Sequence, residues 1–305
     1  MEVTAANLGA INNALDLAYN SQLTTAESVQ KRFADQRTSV GRTSVYPRLD
    51  ELGGMNEWFG ARQAEWLSQS EITITNRKFE KTINISHDDI EDDRYGIYTP
   101  VAQQMGTIAA RQPDMLIAQA LEAATTTLTY DGEPFFSSNH VGYTATGATT
   151  AVSNYNNAAQ GPAWYLFYDK MPLKALILQT RRPFQIRAQF DLNNPRVFES
   201  DVFQWGTDGR LAAGLGIWQF AYCSTATLNT TNLLAARAAM ASLRRPDGNP
   251  MGIVPTLFVS GVSLFPLANS IYKNQLIASD PSSPTTLIDN RAVNMFEPIE
   301  FPWIP

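Results

Sequence analysis

The densest concentration of side chains able to hold a metal or move a proton is His87-Asp-Asp-Ile-Glu-Asp-Asp93, an imidazole followed by the carboxylates of Asp88, Asp89, Glu91, Asp92 and Asp93. Zinc would require a second histidine or a cysteine pair at ligand spacing. Calcium would require alternating oxygen ligands around a central glycine, and the run has neither pattern. A structural reading accounts for the charges better. The alternation Phe79, Ile83, Ile85 stops at Ser86, and Ser86 with Asp89 three residues later forms a capping-box-like helix start. Carboxylates there sit at the positive end of a helix. Glu91 and Arg94 are spaced to pair along that helix or to reach another chain.

The remaining candidates for chemistry are thinner. His140 follows Ser138 by two residues and Cys223 precedes Ser224, but neither serine lies in a Gly-x-Ser-x-Gly elbow and the cysteine has no protease signature around it. Gly214-Leu-Gly216 lacks the third glycine of a dinucleotide fingerprint, and no Gly-Lys-Ser/Thr phosphate loop occurs. Arg181-Arg182 and Arg244-Arg245 are the adjacent basic pairs, better suited to helix ends or salt bridges than to a nucleic-acid footprint. No catalytic, cofactor or metal residue is expected.

Whole-chain numbers agree. The 305 residues are 44% apolar and 17% charged, enough to bury a sizeable core and charge-poor enough that partner chains are expected to cover surface. A net charge of −6 argues against a protein that neutralises phosphates. The single cysteine, Cys223, cannot form an intrachain disulfide. No apolar run has membrane-spanning length, and Met1-Glu-Val-Thr-Ala-Ala-Asn7 lacks the features of a signal peptide.

The elements that would position these residues follow from periodicity. Leu8, Ile11, Leu15 and Ala18 share a helical face, after which the chain is polar and aperiodic from Ala34 to Ser44. Such an N-terminal segment orders only by lying on the rest of the fold or on a neighbour. From Val45 to Glu80 come Tyr46-Pro47, Gly53-Gly54, Trp58-Phe59-Gly60 and Trp66, then strands through Ile72 and Ile74. This is a projecting excursion whose aromatics need cover, from a partner or from a small satellite core. Residues 97 to 126 carry the longest helical pattern, with Ile97, Val101, Met105, Ile108, Gln112, Met115/Leu116 and Gln119/Ala120 as its stripe and Pro113 inside it. The spacing predicts one bent helix or two collinear ones. Tyr130-Asp-Gly opens a turn and a Thr/Asn-rich loop to Gly161. Strands are expected at Trp164–Tyr168, Leu173–Arg187 and Val197–Trp205, and Gly206-Thr-Asp-Gly-Arg210 reads as a turn. Asn229/Thr230 would cap a helix with Leu233, Ala236, Met240 and Leu243 on one face. A strand over Ile253–Ser260, a helix over Leu264–Gln275 and an extended end over Ile299–Ile304 complete the chain.

Several ordered motifs carry a resemblance. They are Ile74-Thr-Asn-Arg-Lys-Phe-Glu80; Asp88-Asp-Ile-Glu-Asp-Asp93 with Tyr95-Gly-Ile-Tyr-Thr-Pro100; Tyr130-Asp-Gly with Phe135-Phe136; and Ala163-Trp-Tyr-Leu166. Further along come Gly206-Thr-Asp-Gly-Arg210 with Gly214-Leu-Gly-Ile-Trp-Gln219, and Arg237-Ala-Ala-Met240 with Gly252-Ile-Val-Pro-Thr-Leu257. Together they resemble the Mu-like major head subunits, the capsid proteins of Mu-type tailed phages, over nearly the full length.

The resemblance implies an α+β chain with the tailed-phage (Hong Kong 97-like) major capsid fold. Its parts would be an N-terminal arm over 1–44, an extended loop over 45–80, a peripheral domain over 81–224 with a spine helix over 97–126, and an axial domain over 225–305. It implies a protein that is not an enzyme and uses no cofactor, and that assembles with its own copies into hexamers and pentamers. Scaffolding, portal and decoration proteins would be separate chains. The head would enclose DNA without sequence-specific binding, in a virion assembled in the bacterial cytoplasm and without a membrane. Inter-subunit contacts are expected from Trp58, Phe59, Trp66, Glu91 and Arg94. Some capsids of this fold weld the extended loop by a Lys–Asn isopeptide bond, but Arg32 to Arg77 contain no lysine, which implies a non-covalent shell. The competing readings are a phage tail tube or decoration protein, expected to be shorter and mostly β, and a metal-dependent hydrolase built on His87 and His140.

Overall fold

The computed structural model describes residues 2–47, 71–92, 97–159, 161–280 and 283–304. In chain order the helices are α1 (Ala5–Thr25), α2 (His87–Glu91), α3 (Tyr98–Ala123), α4 (Pro195–Ser200), α5 (Thr230–Ala241) and α6 (Phe265–Lys273). The strands are β1 (Asp35–Thr38), β2 (Thr43–Pro47), β3 (Glu71–Thr75), β4 (Arg77–Ser86), β5 (His140–Tyr143), β6 (Thr149–Val152), β7 (Tyr155–Asn156), β8 (Trp164–Phe167), β9 (Leu176–Gln189), β10 (Val202–Leu215), β11 (Ala221–Ser224), β12 (Leu257–Ser260), β13 (Leu276–Asp280), β14 (Ser283–Asp289) and β15 (Glu297–Glu300). Two sheets organise them, one in the order β1-β9-β10-β4 and one in the order β15-β12-β8-β11-β7.

β10 is the axis of the first sheet. It pairs antiparallel with β4 from Val202↔Ser86 to Leu211↔Arg77, and with β9 along its other edge. Its side chains alternate, so Phe203, Trp205, Thr207 and Leu211 face inward and Gln204, Asp208 and Arg210 face outward. The inward row receives the helices. Leu8, Ile11 and Leu15 of α1 pack with Phe203, Trp205, Ile85 and Ile90, Trp205 Nε1 donates to Asn12 Oδ1 at 3.0 Å, and the Tyr19 and Thr207 hydroxyls meet at 2.5 Å.

The N-terminal segment therefore finds its cover on its own chain. Thr4 caps α1 by accepting from Asn7 N, and α1 lies along α3. Beyond α1, the buried Asp114 carboxylate of α3 accepts from Ser28 Oγ and from the backbone N–H groups of Val29 and Gln30. These bonds satisfy the free donors of the 3-10 turn Val29–Arg32. β1 then joins β9 in parallel. The polar, aperiodic stretch after α1 is thus partly strand, because edge pairing needs backbone groups and no apolar pattern.

α3 is one helix across Pro113, and its buried face keeps Met105 and Leu116 of the expected stripe but not the rest. Ala102, Met105, Gly106, Ala109, Leu116, Ile117 and Leu121 point inward, whereas Ile97, Val101, Ile108 and Met115 are exposed. The reason is the closeness of α1. A Cβ on Gly106 would collide with the Tyr19 carbonyl oxygen, so small residues must line the contact and the bulky ones are displaced outward.

Three further segments depart from expectation. Gly206 to Arg210 lies inside β10, with a bulge at Asp208/Arg210. A Cβ at Gly209 would sit 2.7 Å from the Phe184 ring, so that glycine serves a close cross-strand contact. Val197–Ser200 belongs to α4, not to a strand, and part of the 140–161 loop is the β5–β6 hairpin. The second sheet is the larger core. β8, β11 and β12 are buried throughout, as continuous apolar strands are when covered on both faces. α5, capped by Asn229 accepting from Asn232 N at 2.8 Å, buries Leu233, Ala236 and Met240 in that core as its pattern predicts. The sheet draws β7, β8 and β11 from before residue 225 and β12 and β15 from after it.

Gly106→Ala is expected to destabilise the chain by about 1–3 kcal/mol, as overpacking does, although alanine is the better helix former by about 1 kcal/mol. Thermal denaturation gives the sign directly. A variant that melts higher would mean that α1 does not bear on α3 at this point.

Candidate functional site

The region with most bearing on function is the root of the 45–80 excursion. β2 and β3 pair antiparallel from Thr43↔Thr75 to Pro47↔Glu71, so the chain departs at Pro47 and returns beside it. The root is held by polar groups that composition alone does not single out. Buried Asn76 donates through Nδ2 to Ser39 Oγ and to Gly41 O, both at 2.9 Å, and its N–H reaches Arg42 O at 2.9 Å. Tyr46 OH donates to Gln179 Oε1 at 2.8 Å, and Gln179 Nε2 reaches Ile74 O at 3.4 Å. Burial pushes the Tyr46 phenol above its ordinary pKa, so it remains a donor. Underneath, Ile72 and Ile74 enter the main core.

A groove of about 550 Å³ runs beside this root, between β3, the end of α3 and the end of β10. Gly214 and Gly216 line it for reasons of space, since a Cβ at Gly214 would strike Ile74 Cδ1 and one at Gly216 the Lys174 carbonyl oxygen. They are packing glycines at a strand end, with no helix N-terminus behind them to hold a phosphate.

The acidic junction folds as its cap predicts. Ser86 Oγ accepts from Asp89 N at 3.2 Å and opens α2. Asp89 in turn accepts from Tyr98 OH at 2.6 Å, which ties α2 to the start of α3 and directs this carboxylate away from its neighbours. His87, Asp88 and Glu91 bring ligand atoms within 4.8 Å of one another, with His87 Nδ1 3.8 Å from Glu91 Oε1. His87 also stacks on Phe203 at 5.9 Å. Of the five expected contact residues, Glu91 is exposed on α2, whereas Trp58, Phe59, Trp66 and Arg94 lie outside the described residues.

Cys223 and Ser224 are locked away. Burial pushes the Cys223 thiol up to about 12, and Ser224 is fully buried, accepting from Ala226 N. His140 is buried with both ring nitrogens engaged, Nδ1 2.7 Å from Asp131 Oδ2 and Nε2 3.2 Å from Phe135 O, and it stacks on Trp218 at 3.9 Å. Ser138 beside it is exposed. One arginine of each basic pair is engaged within the fold. Arg182 pairs with Asp208 across the β9–β10 ladder, and Arg244 Nη1 donates to Gly248 O at 2.7 Å.

Comparison with known proteins decides what this framework is for. Residues 8–304 match the family model described as Mu-like prophage major head subunit gpT. The chain belongs to the Mu-like major head subunit family. It is 32% identical to the major capsid protein of Escherichia phage Mu over 283 residues, 91% of this chain and 93% of that one. To the Mu-like prophage FluMu major head subunit of Haemophilus influenzae it is 33% identical over 271 residues, 86% of this chain and 87% of that one. Among solved structures it is similar to the subunit in the procapsid of bacteriophage JBD30, with a TM-score of 0.82 and 31% identity over 99% of this chain and 100% of that one. The fold is accordingly the tailed-phage major capsid fold.

In this head subunit, sequence reasoning missed the fasteners more than the elements. Asp131 was legible only as the first residue of an Asp-Gly turn, yet its carboxylate accepts from His140, from Thr129 Oγ1 at 2.5 Å and from Glu133 N at 3.2 Å. Burial alone would raise its pKa. The hydrogen bonds from His140 and Thr129, with the charge on His140, hold it below the ordinary carboxylate value. A depressed folded-state pKa stabilises fully above the unfolded value and is lost as the pH falls through the folded one. Asp131→Asn should therefore cost roughly 1.5–3 kcal/mol above the unfolded-state pKa, the range for a hydrogen bond to a charged group. The gap from the parent should narrow below about pH 4. Melting curves across pH check this, and a gap that persists undiminished well below that pH would contradict the assignment.

Proposed function

We propose that this chain builds the icosahedral head of a Mu-like tailed phage by assembling with copies of itself into hexamers and pentamers around the double-stranded DNA. The observation that carries the reading is the match at full length. Family model, curated relatives and procapsid subunit all align over 86% of the chain or more, so the likeness is not confined to one segment. The work is structural and needs no cofactor, consistent with a thiol and an imidazole spent on packing. An acidic subunit suits a container that surrounds DNA without gripping it.

Within this proposal the four-stranded sheet with α1 and α3 is the peripheral part, and the five-stranded sheet with α5 and α6 is the axial part. The latter takes in β7, β8 and β11 as well as residues after 225. The 45–80 excursion is the extended loop, rooted rigidly at Asn76 and Gln179 so that its far end is aimed at a neighbouring subunit. Heterologous contacts of this kind close into rings, and repetition makes many modest contacts durable. Trp58, Phe59 and Trp66 anchor the loop on the neighbour, and Glu91 with Arg94 bridges between subunits. Scaffolding, portal and decoration proteins are separate chains, and the head assembles in the host cytoplasm before it becomes part of the virion.

Expression together with the neighbouring phage genes, followed by electron microscopy, tests the function. Closed shells or capsomers are expected, and a chain that stays monomeric under every assembly condition would refute it. Trp58→Ala with Phe59→Ala should lower both the yield and the heat resistance of heads, and unchanged heads would remove the loop from the interface. With no lysine between Arg32 and Arg77, boiled heads should run as single subunits in denaturing gels. A ladder of multimers would show a covalent weld.

A further inference from the structure

The face of the four-stranded sheet turned away from α1 and α3 carries like charges in line. Arg210 of β10 stands directly opposite Lys78 of β4 on one side and opposite Arg182 of β9 on the other. Three cations therefore cross the sheet in one row. Like charges placed opposite one another destabilise a sheet, so the row serves no need of the fold.

The carboxylates nearby do not discharge it. Asp208, two residues along β10 from Arg210, is paired with Arg182 and lies 3.5 Å from Arg187, and Glu80 accepts from Thr82 Oγ1 at 2.9 Å. Lys78 and Arg210 form no ion pair among the described residues. Lys78, Arg182, Arg187 and Arg210 outnumber Glu80 and Asp208, which gives this face an excess of positive charge on a chain whose net charge is −6.

The remainder of the face decides what kind of anion fits. Thr82 and Asn84 of β4, Gln204 of β10, and Gln185 and Gln189 of β9 share it. It offers hydrogen-bonding groups around the cations, but not the apolar centre on which protein interfaces are built. A nucleic-acid backbone needs no such centre. Neighbouring strands lie about 4.8 Å apart, so the row spans about 10 Å, a length over which duplex DNA presents about six phosphate charges.

We propose that the row Lys78, Arg210 and Arg182, with Arg187 beside it, is a contact for the phosphates of duplex DNA, so that this face of the sheet is the one turned to the interior of the head. The inference rests on the head reading for the presence of DNA, whereas the binding it describes needs no shell. A row this short touches the duplex without gripping it, and the acidic remainder of the chain keeps the contact weak and sensitive to salt.

The probe is a fluorescent 20-base-pair duplex titrated at low salt with the unassembled full-length chain and followed by anisotropy. Binding is expected, and its constant should fall with salt at a log–log slope of about −3, the value for about three phosphate contacts. Lys78→Glu with Arg210→Glu should weaken binding at least tenfold. Lys170→Glu with Lys273→Glu, which changes the charge equally at exposed positions away from the sheet, should leave it within threefold. Lys78→Gln with Arg210→Gln should also weaken binding while melting no lower than the parent, because the repulsion across the ladder is gone. The proposal is overturned if the parent does not bind the duplex, or if the two glutamate pairs weaken binding equally. It is overturned also if a polyglutamate peptide displaces the duplex at equal charge concentration, which would assign the row to an acidic protein. A chain that forms shells yet fails these titrations sinks this inference alone, and a chain that binds through the row yet never assembles sinks the head reading instead.

Discussion

β10 is the element on which the first sheet, its two long helices and the root of the excursion rest. Phe203 and Trp205 enter the cluster with α1, Thr207 holds Tyr19, and Leu211 and Ala212 join the large core of the second sheet. Its edges carry β4 and β9, and its final glycine-containing turn leaves space for β3. The alternating row of a single strand thereby fixes where the leading helix lies, where the long helix lies and where the excursion is rooted. A slip of one residue in its register would turn all these contacts to the outer face at once, and its pairing with β4 runs unbroken from Val202 to Leu211.

What the amino-acid sequence disclosed and what it concealed divide along physical lines. Local signals were legible where side chain and backbone act within a few residues. Ser86 capping α2, Asn229 capping α5, and the Leu8, Ile11, Leu15, Ala18 face of α1 all came through. Signals that depend on a distant partner did not. Gly206 and Gly209 have turn chemistry in isolation, and only the presence of Thr82 and Phe184 across the ladder shows that they relieve crowding inside a strand. Asp114 and Asp131 are unremarkable residues in the sequence, and their value comes from donors far along the chain or around a turn.

The misread face of α3 follows the same logic. A hydrophobicity count assigns the large residues to the core, but the core here is another helix at close range, and close range selects alanine and glycine. Along the α1 contact, Val101 and Ile108 therefore lie on the opposite, exposed side. Trp58, Phe59, Trp66 and Arg94, proposed as contacts between subunits, fall outside the described residues.

A subunit that must tile faces two opposed demands. It must be stable enough alone to present a defined shape, yet it must keep apolar surface available for later contacts. This chain separates them in space. The leading segment, which an arm-like composition would leave for a neighbour, is retained by its own body through Asp114, Asn12 and Tyr19, so solitary stability does not wait for assembly. The apolar groups left outside, on α3 and at Phe198 of α4, sit on elements whose other faces are already buried. They can therefore be covered or uncovered without repacking a core, and that independence lets one polypeptide exist both as a free subunit and as a component of a shell.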